Sequence, residues 1–258
     1  MTMKIFQTEK YFLIFRVLPF VFGISLFKVA LHFLGFEFFS LSPLVTSLVT
    51  ANVFLLGFLI GGTLTDYKES ERLPGELAAS LETISDEVKI IYQNKKNPVA
   101  KECLEYLIEL NKCMLDWFQK DKRTKELMRN IEGLNKFFLA FEQVTQANFI
   151  VRLKQEQNFL RRQVIRIHTI RETSFVPAGY VVAEIVTFLL IFSLLISKIE
   201  PFYESLFSIG IISFLLIYML FLIKELDNPF SHYEKNKMTS RVSLKPLEDS
   251  LNSFEQPI

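Results

Sequence analysis

Apolar positions gather into four long stretches, at about 11–36, 41–64, 176–196 and 206–223, with charge concentrated between and beyond them. A hydrocarbon layer about 30 Å thick takes about 20 mostly apolar residues per helix, so each stretch predicts one membrane-spanning helix. The four form two hairpins. The connection at 35–40 carries no Lys or Arg, and the one at 197–205 carries only Lys198 beside Glu200 and Glu204. The block between the hairpins, 65–175, holds 19 of the 29 basic residues. By the positive-inside rule this block and both termini are expected on the cytoplasmic side and the two short connections outside. The start of the chain lacks a signal-peptide pattern, because the apolar stretch after Lys10 is too long for an h-region and no small-residue cleavage site follows it. The first apolar segment is therefore expected to stay in the mature chain.

The charged block also has helical periodicity. Val99, Cys103, Tyr106, Leu107, Leu110, Cys113, Met114 and Trp117 recur every three or four residues, with Lys101, Glu105, Glu109 and Lys112 between them, which predicts one buried stripe on a helix. Pro74 and Pro98 each suit the first turn of a helix. A further run, about 122–172, is interrupted only by Gly133 and predicts two or more long helices. No period-2 strand pattern competes. After Phe230 the tail is polar and contains Pro246 and Pro257, which predicts poor order. The expected architecture is an all-α membrane protein: an N-terminal transmembrane hairpin (1–64), a helical cytoplasmic domain (65–175), a C-terminal transmembrane hairpin (176–223) and a cytoplasmic tail (224–258).

Composition narrows the function classes. The 258 residues are 50% hydrophobic and include 27 Phe but only 9 Gly, while a net charge of +1 gives no footprint for nucleic acid. Cys103 and Cys113 lie ten residues apart, a spacing of neither a zinc site nor a CxxC pair, and read as reduced core thiols. His32, His168 and His232 fall in three different environments. There is no Gly-rich phosphate loop, HExxH or GxSxG, so no catalytic residue, metal or cofactor is expected. Glu69 with Glu71, or Asp86 with Glu87, would make paired carboxylates, but interleaved Lys and Arg favour a solvated helix face.

The second span carries the most informative pattern. Ser47, Thr50, Phe54, Phe58, Gly61 and Thr65 are spaced by three or four and share one helical face. Around a symmetry axis that face would form a polar vestibule, two aromatic rings and a polar exit. A hydrophobic constriction gates by dewetting, and phenylalanine edges present positive charge density to an anion. The same spacing also suits phenylalanines that face lipid or a neighbouring helix.

The stretch Ala51–Gly75, with Phe54 and Phe58 bracketing Leu56-Gly57-Phe58, resembles the pore-lining second helix of the bestrophin family. Val176-Pro177-Ala178-Gly179-Tyr180 resembles the family's apolar-Pro-x-x-Tyr start of the third span, and Lys224-Glu225-Leu226-Asp227-Asn228-Pro229-Phe230 resembles its acidic-apolar-x-Asn-Pro-Phe segment. The resemblance implies a homo-oligomer, a pentamer, in a bacterial inner membrane, passing monovalent ions, chiefly chloride, through a central pore. It assigns Phe54 and Phe58 to the pore neck, with Thr50 one turn earlier, and the shared helical face then adds Ser47, Gly61 and Thr65 as expected pore lining. Counting back from Pro177 by the family's spacing reaches Phe149 and Ile150 as a cytoplasmic aperture. Where many bacterial members have polar and basic residues after the LGF step, this chain has Leu59, Ile60, Gly61 and Gly62. Ser231-His232-Tyr233-Glu234-Lys235 stands in place of the acidic clasp of animal members, so calcium gating is not implied.

Charges inside the spans are costly and usually paired or in water. Arg16 and Glu184 enter from the same side, to roughly 8 and 12 Å by helical rise. They are expected to pair, with the first and third spanning helices in contact, within a subunit or across the ring. Lys28 lies nearer the outer end and is expected to snorkel outward. Two rival classes remain: a non-conducting membrane scaffold or sensor whose charged block binds a partner, and a transporter, for which inverted repeats with broken helices are lacking.

Overall fold

The computed structural model describes residues 2–40, 42–119, 123–227, 229–230 and 242–255. Among these residues the chain is helical in eight segments: α1 (Thr2–Phe33), α2 (Pro43–Lys95), α3 (Pro98–Gln119), α4 (Thr124–Phe141), α5 (Ala147–Glu172), α6 (Pro177–Leu195), α7 (Phe202–Asp227) and α8 (Lys245–Phe254). Two compact units divide it. Among the described residues, one comprises 2–67 and 174–227, the other 68–173, 229–230 and 242–255.

The first unit holds α1, the start of α2, α6 and α7. Four helical segments are long and apolar enough to cross a membrane, and their outward faces carry large exposed apolar side chains such as Phe15, Phe22, Phe27, Phe188 and Phe207. Such a continuous belt would be an aggregation surface in water and is matched to its surroundings in a bilayer. α7 packs on α1 and α6, and α1 touches α6. Leu56 and Leu59 of α2 meet Ala183 of α6 and Leu216 and Ile223 of α7 in a small core. The two hairpin connections pair as a short parallel bridge, β1 (Phe39–Ser40) with β2 (Ser197–Lys198), a contact that the hydrophobic pattern did not signal.

The second unit is a helical bundle around one core. Leu73, Leu77, Leu81, Ile84, Val88 and Ile91 give the later part of α2 a buried stripe, and the stripe expected on α3 contributes Cys103, Leu107, Leu110, Met114 and Trp117. Pro98 opens α3 as expected, with the Asn97 side chain accepting the Val99 N–H at 2.8 Å. Pro74, in contrast, lies inside α2 instead of starting a helix. An interior proline costs about 3 kcal/mol or more, and the buried apolar stripe that continues on both sides of it offsets that cost. Gly133 likewise lies within α4. Its missing Cβ leaves room for the Tyr106 ring and hydroxyl, and the break in the run comes instead at 142–146, between α4 and α5. Part of the tail is ordered too: α8 docks on α3, burying Leu247, with Asn111 donating to the Leu247 carbonyl at 3.2 Å and Lys112 paired with Glu255 at 2.7 Å.

Three of the four acidic residues weighed as catalytic pairs, Glu69, Asp86 and Glu87, are held in ion pairs within this unit. Glu69 takes the Arg166 guanidinium on both oxygens at 2.8 and 2.5 Å, Glu87 takes Arg152 at 2.9 Å, and Asp86 meets Lys89 at 3.5 Å.

Candidate functional site

Within the first unit, α2 has two contrasting sides. Asn52, Leu56, Leu59 and Thr63 are buried against α6 and α7 or their own helix, while Ser47, Thr50, Phe54, Phe58, Gly61 and Thr65 on the opposite side are all exposed. Phe54 and Phe58 are 78% and 61% exposed, so no element of their own chain covers them. The hydroxyls of Ser47, Thr50 and Thr65 donate to the carbonyls four residues earlier, at 2.9, 3.0 and 3.0 Å. That bonding satisfies the donor and leaves an acceptor oxygen facing outward, which makes the face polar at both ends and aromatic in the middle.

Behind the aromatic pair, Asn52 Nδ2 donates to Thr187 Oγ1 of α6 at 2.8 Å, and both side chains are buried. This bond ties α2 to α6 at the level of Phe54. Sequence reasoning passed over it, although Asn in the middle of an apolar run is itself a signal, since a buried amide in a membrane has to find a partner.

The charges in the spans are arranged differently from expectation. Arg16 lies over the Phe221 ring at 5.0 Å, and Glu184 pairs with Lys224 at 2.5 Å. Although α1 and α6 touch, the Arg16–Glu184 pair is not formed within the chain. Helical rise gave the depths of the two residues but not their bearings around the helix axes, and the hairpin fold returns Lys224 at the end of α7 to the level of Glu184.

Lys28 does not snorkel. Its ammonium is fully buried, forms an ion pair with Glu37 Oε1 at 2.6 Å and donates to the carbonyls of Leu195 and Ser197 at 3.1 and 2.5 Å. His32 adds a contact to Glu37 Oε2 at 2.8 Å and stacks on Phe202 at 3.9 Å. One cation thus ties both hairpin connections together. Burial works to raise the Glu37 pKa, but the hydrogen bonds and charge of Lys28 and His32 outweigh it and hold the carboxyl below its usual value of 4.5.

In the second unit, Ile150 packs against the core and Phe149 is partly covered, with the Arg152 guanidinium 4.7 Å from its ring centre. Phe149 also lines a cavity of about 400 Å³ together with Ile90, Asn94, Gln143 and Gln146. Phe230 of the Asn-Pro-Phe segment is buried beside Phe118, with the Arg171 guanidinium close to both rings and to Trp117. Asn228 and residues 231–235, His232 included, lie outside the described residues. His32 and His168 belong to different units, and no group of three His, Cys, Asp or Glu suited to a metal occurs among the described residues.

No protein-family model matches the sequence, and no curated protein matches it by sequence. Solved structures do match by fold. A bacterial bestrophin homologue from Klebsiella pneumoniae superposes with a TM-score of 0.73 at 16% identity, covering 94% of this chain and 95% of that one. A point variant of a bacterial bestrophin homologue from the same organism gives 0.72 at 14% identity, covering 94% and 96%. A crystal structure of a membrane protein carrying a proline-to-alanine change gives 0.75 at 15% identity, covering 95% and 99%. The expectation drawn from three short motifs thus holds for the fold of nearly the whole chain: this is an integral membrane protein with the bestrophin fold.

Proposed function

We propose that the protein is a passive ion channel, a homo-oligomer, pentameric like the family it resembles, in which the exposed face of α2 lines a central pore. The carrying observation is that Ser47, Thr50, Phe54, Phe58, Gly61 and Thr65 form a continuous uncovered face directly opposite the side that α2 buries. Repeated around an axis, the face supplies a polar vestibule, an aromatic neck at Phe54 and Phe58 with Thr50 one turn before it, and a polar exit. No bond is made or broken, and the rings set permeation by their width and wetting. Aromatic edges and the absence of an acidic side chain on this face favour anions, chloride above all. The excess of basic residues in 65–175 supports a cytoplasmic location for that block and for both termini, with a bacterial inner membrane as the setting. Phe149 and Ile150 remain the proposed cytoplasmic aperture, with Phe149 as the better candidate to face a pore because Ile150 packs against the core of its own unit.

The rival reading, a non-conducting scaffold or sensor, predicts that α2's exposed face meets lipid or a partner. Two measurements on purified protein separate them: the mass of the assembly in detergent, and chloride efflux from proteoliposomes into chloride-free buffer. A ring-sized oligomer with protein-dependent efflux supports the channel. A monomer or dimer without efflux rejects it.

A further inference from the structure

Three of the motifs that carried the family resemblance meet at one point of the first unit. Asp227 Oδ1, at the end of α7, accepts the Phe175 backbone N–H at 3.0 Å and the Tyr180 hydroxyl at 2.5 Å. The carboxylate so fixes the segment that leads into α6, and the Phe175 ring lies on Gly62 of α2, so closely that any Cβ at residue 62 would run into it. One turn further into α6, a Cβ at Gly179 would lie 3.1 Å from Leu59 of α2 and 3.3 Å from Val176. The stretch of α2 gripped in this way, Leu59–Gly62, follows directly after Phe58. A glycine facing an aromatic ring is a close approach that a side chain would forbid, so the contact sets how near α2 can come to α6.

We propose that Asp227, Tyr180, Phe175 and Gly62 are positioning residues for the aromatic neck: the carboxylate aims the Phe175 ring, and the ring on Gly62 holds α2 in the rotation that turns Phe58 toward the pore. The proposal rests on the channel reading of α2 and assigns the control of its neck to a cluster that does not share the pore-lining face. Among the described residues the chain passes between the two units at 67–68, at 173–174 and beyond Asp227, and each passage lies within a few residues of this cluster. Movement of the chain at any of them therefore has a short route to the neck.

The test is single-channel recording of assembled oligomers in planar bilayers. Phe175→Ala, Tyr180→Phe and Asp227→Ala should each change open probability, by about 2- to 10-fold, the shift that one or two net hydrogen bonds or an equivalent contact impose on an equilibrium. Permeability ratios should stay as in the wild type, since none of these residues is assigned to the pore lining. Asp227→Asn keeps an oxygen that accepts both hydrogen bonds and should behave close to the wild type. The Phe175→Ala/Asp227→Ala double variant should be no worse than Phe175→Ala alone, because a carboxylate that aims a missing ring has nothing left to do. A merely structural cluster would lower the yield of oligomer while leaving the surviving channels unchanged, and that result would overturn the proposal, as would additive effects in the double variant. Should Asp227→Ala not assemble, Phe175→Ala and Tyr180→Phe decide alone. A wild type without current rejects the channel reading and this inference with it, whereas a conducting wild type with unaltered variants rejects only the inference.

Discussion

Replacing Lys28 by Met tests the buried charge that joins the two hairpin connections. The change removes three contacts at once, to Glu37 at 2.6 Å, to the Leu195 carbonyl at 3.1 Å and to the Ser197 carbonyl at 2.5 Å. Breaking one side of a buried pair costs about 3–5 kcal/mol because the other charge is stranded. Glu37 keeps His32 and has a side chain 9% exposed, so the lower end, about 3 kcal/mol, is expected. Lys28→Met/Glu37→Gln removes the stranded charge but still deprives the two carbonyls of a donor, and should keep a deficit of about 1–2 kcal/mol. The assay is loss of folded protein on heating, followed by size-exclusion chromatography in detergent, for the wild type, both single variants and the double. Acid adds a second readout. A carboxyl held below 4.5 in the folded protein contributes stability that is present above 4.5 and is lost as pH falls through the depressed value. Lys28→Met should therefore remove most of that acid sensitivity. Strict additivity of the two single variants, or a Lys28→Met protein as stable as the wild type, would refute the reasoning.

Three further outcomes follow from the same geometry. Phe54→Ala/Phe58→Ala should raise conductance or open probability, because two exposed rings per subunit are removed from the proposed neck; unchanged currents from intact oligomers would leave these residues as lipid-facing. Phe149→Ala should alter ion selectivity with little loss of stability, whereas Ile150→Ala, whose side chain packs on the core, should destabilise the second unit by about 2–3 kcal/mol; the reverse pattern in reversal potentials and thermal melts would move the aperture elsewhere. Burial pushes the Cys103 thiol up to about 12, leaving a thiolate fraction on the order of 10⁻⁴ at pH 8, so maleimide should label this cysteine only after denaturation.

How much of this was legible in the sequence depended on whether the signal was local. Span lengths are set by bilayer thickness, so the four membrane helices could be read off directly. Short-range breaker rules failed where tertiary packing prevailed: α2 continues through Pro74 because Leu73 and Leu77 on either side are buried, and α4 continues through Gly133 because Tyr106 fills the space above it. The ordered α8 was missed because a short amphipathic helix of one buried leucine and one buried serine offers little apolar signal until α3 is present to receive it. The periodicity of α2 gave its exposed face residue by residue. The partners of Arg16, Lys28 and Glu184 were not legible, because depth along a helix follows from counting residues, whereas the neighbour across a helix interface depends on rotation and on which hairpin connections meet.

The central claim, that a ring of these chains conducts ions through the α2 face, is tested most directly by single-channel recording of the purified protein in a planar bilayer under a tenfold gradient of KCl. The account predicts discrete current steps that reverse near the chloride equilibrium potential, about 59 mV from zero on the chloride side, and that change in size with Phe54→Ala/Phe58→Ala. A bilayer that stays silent with correctly assembled protein, or currents indifferent to both phenylalanines, would contradict it.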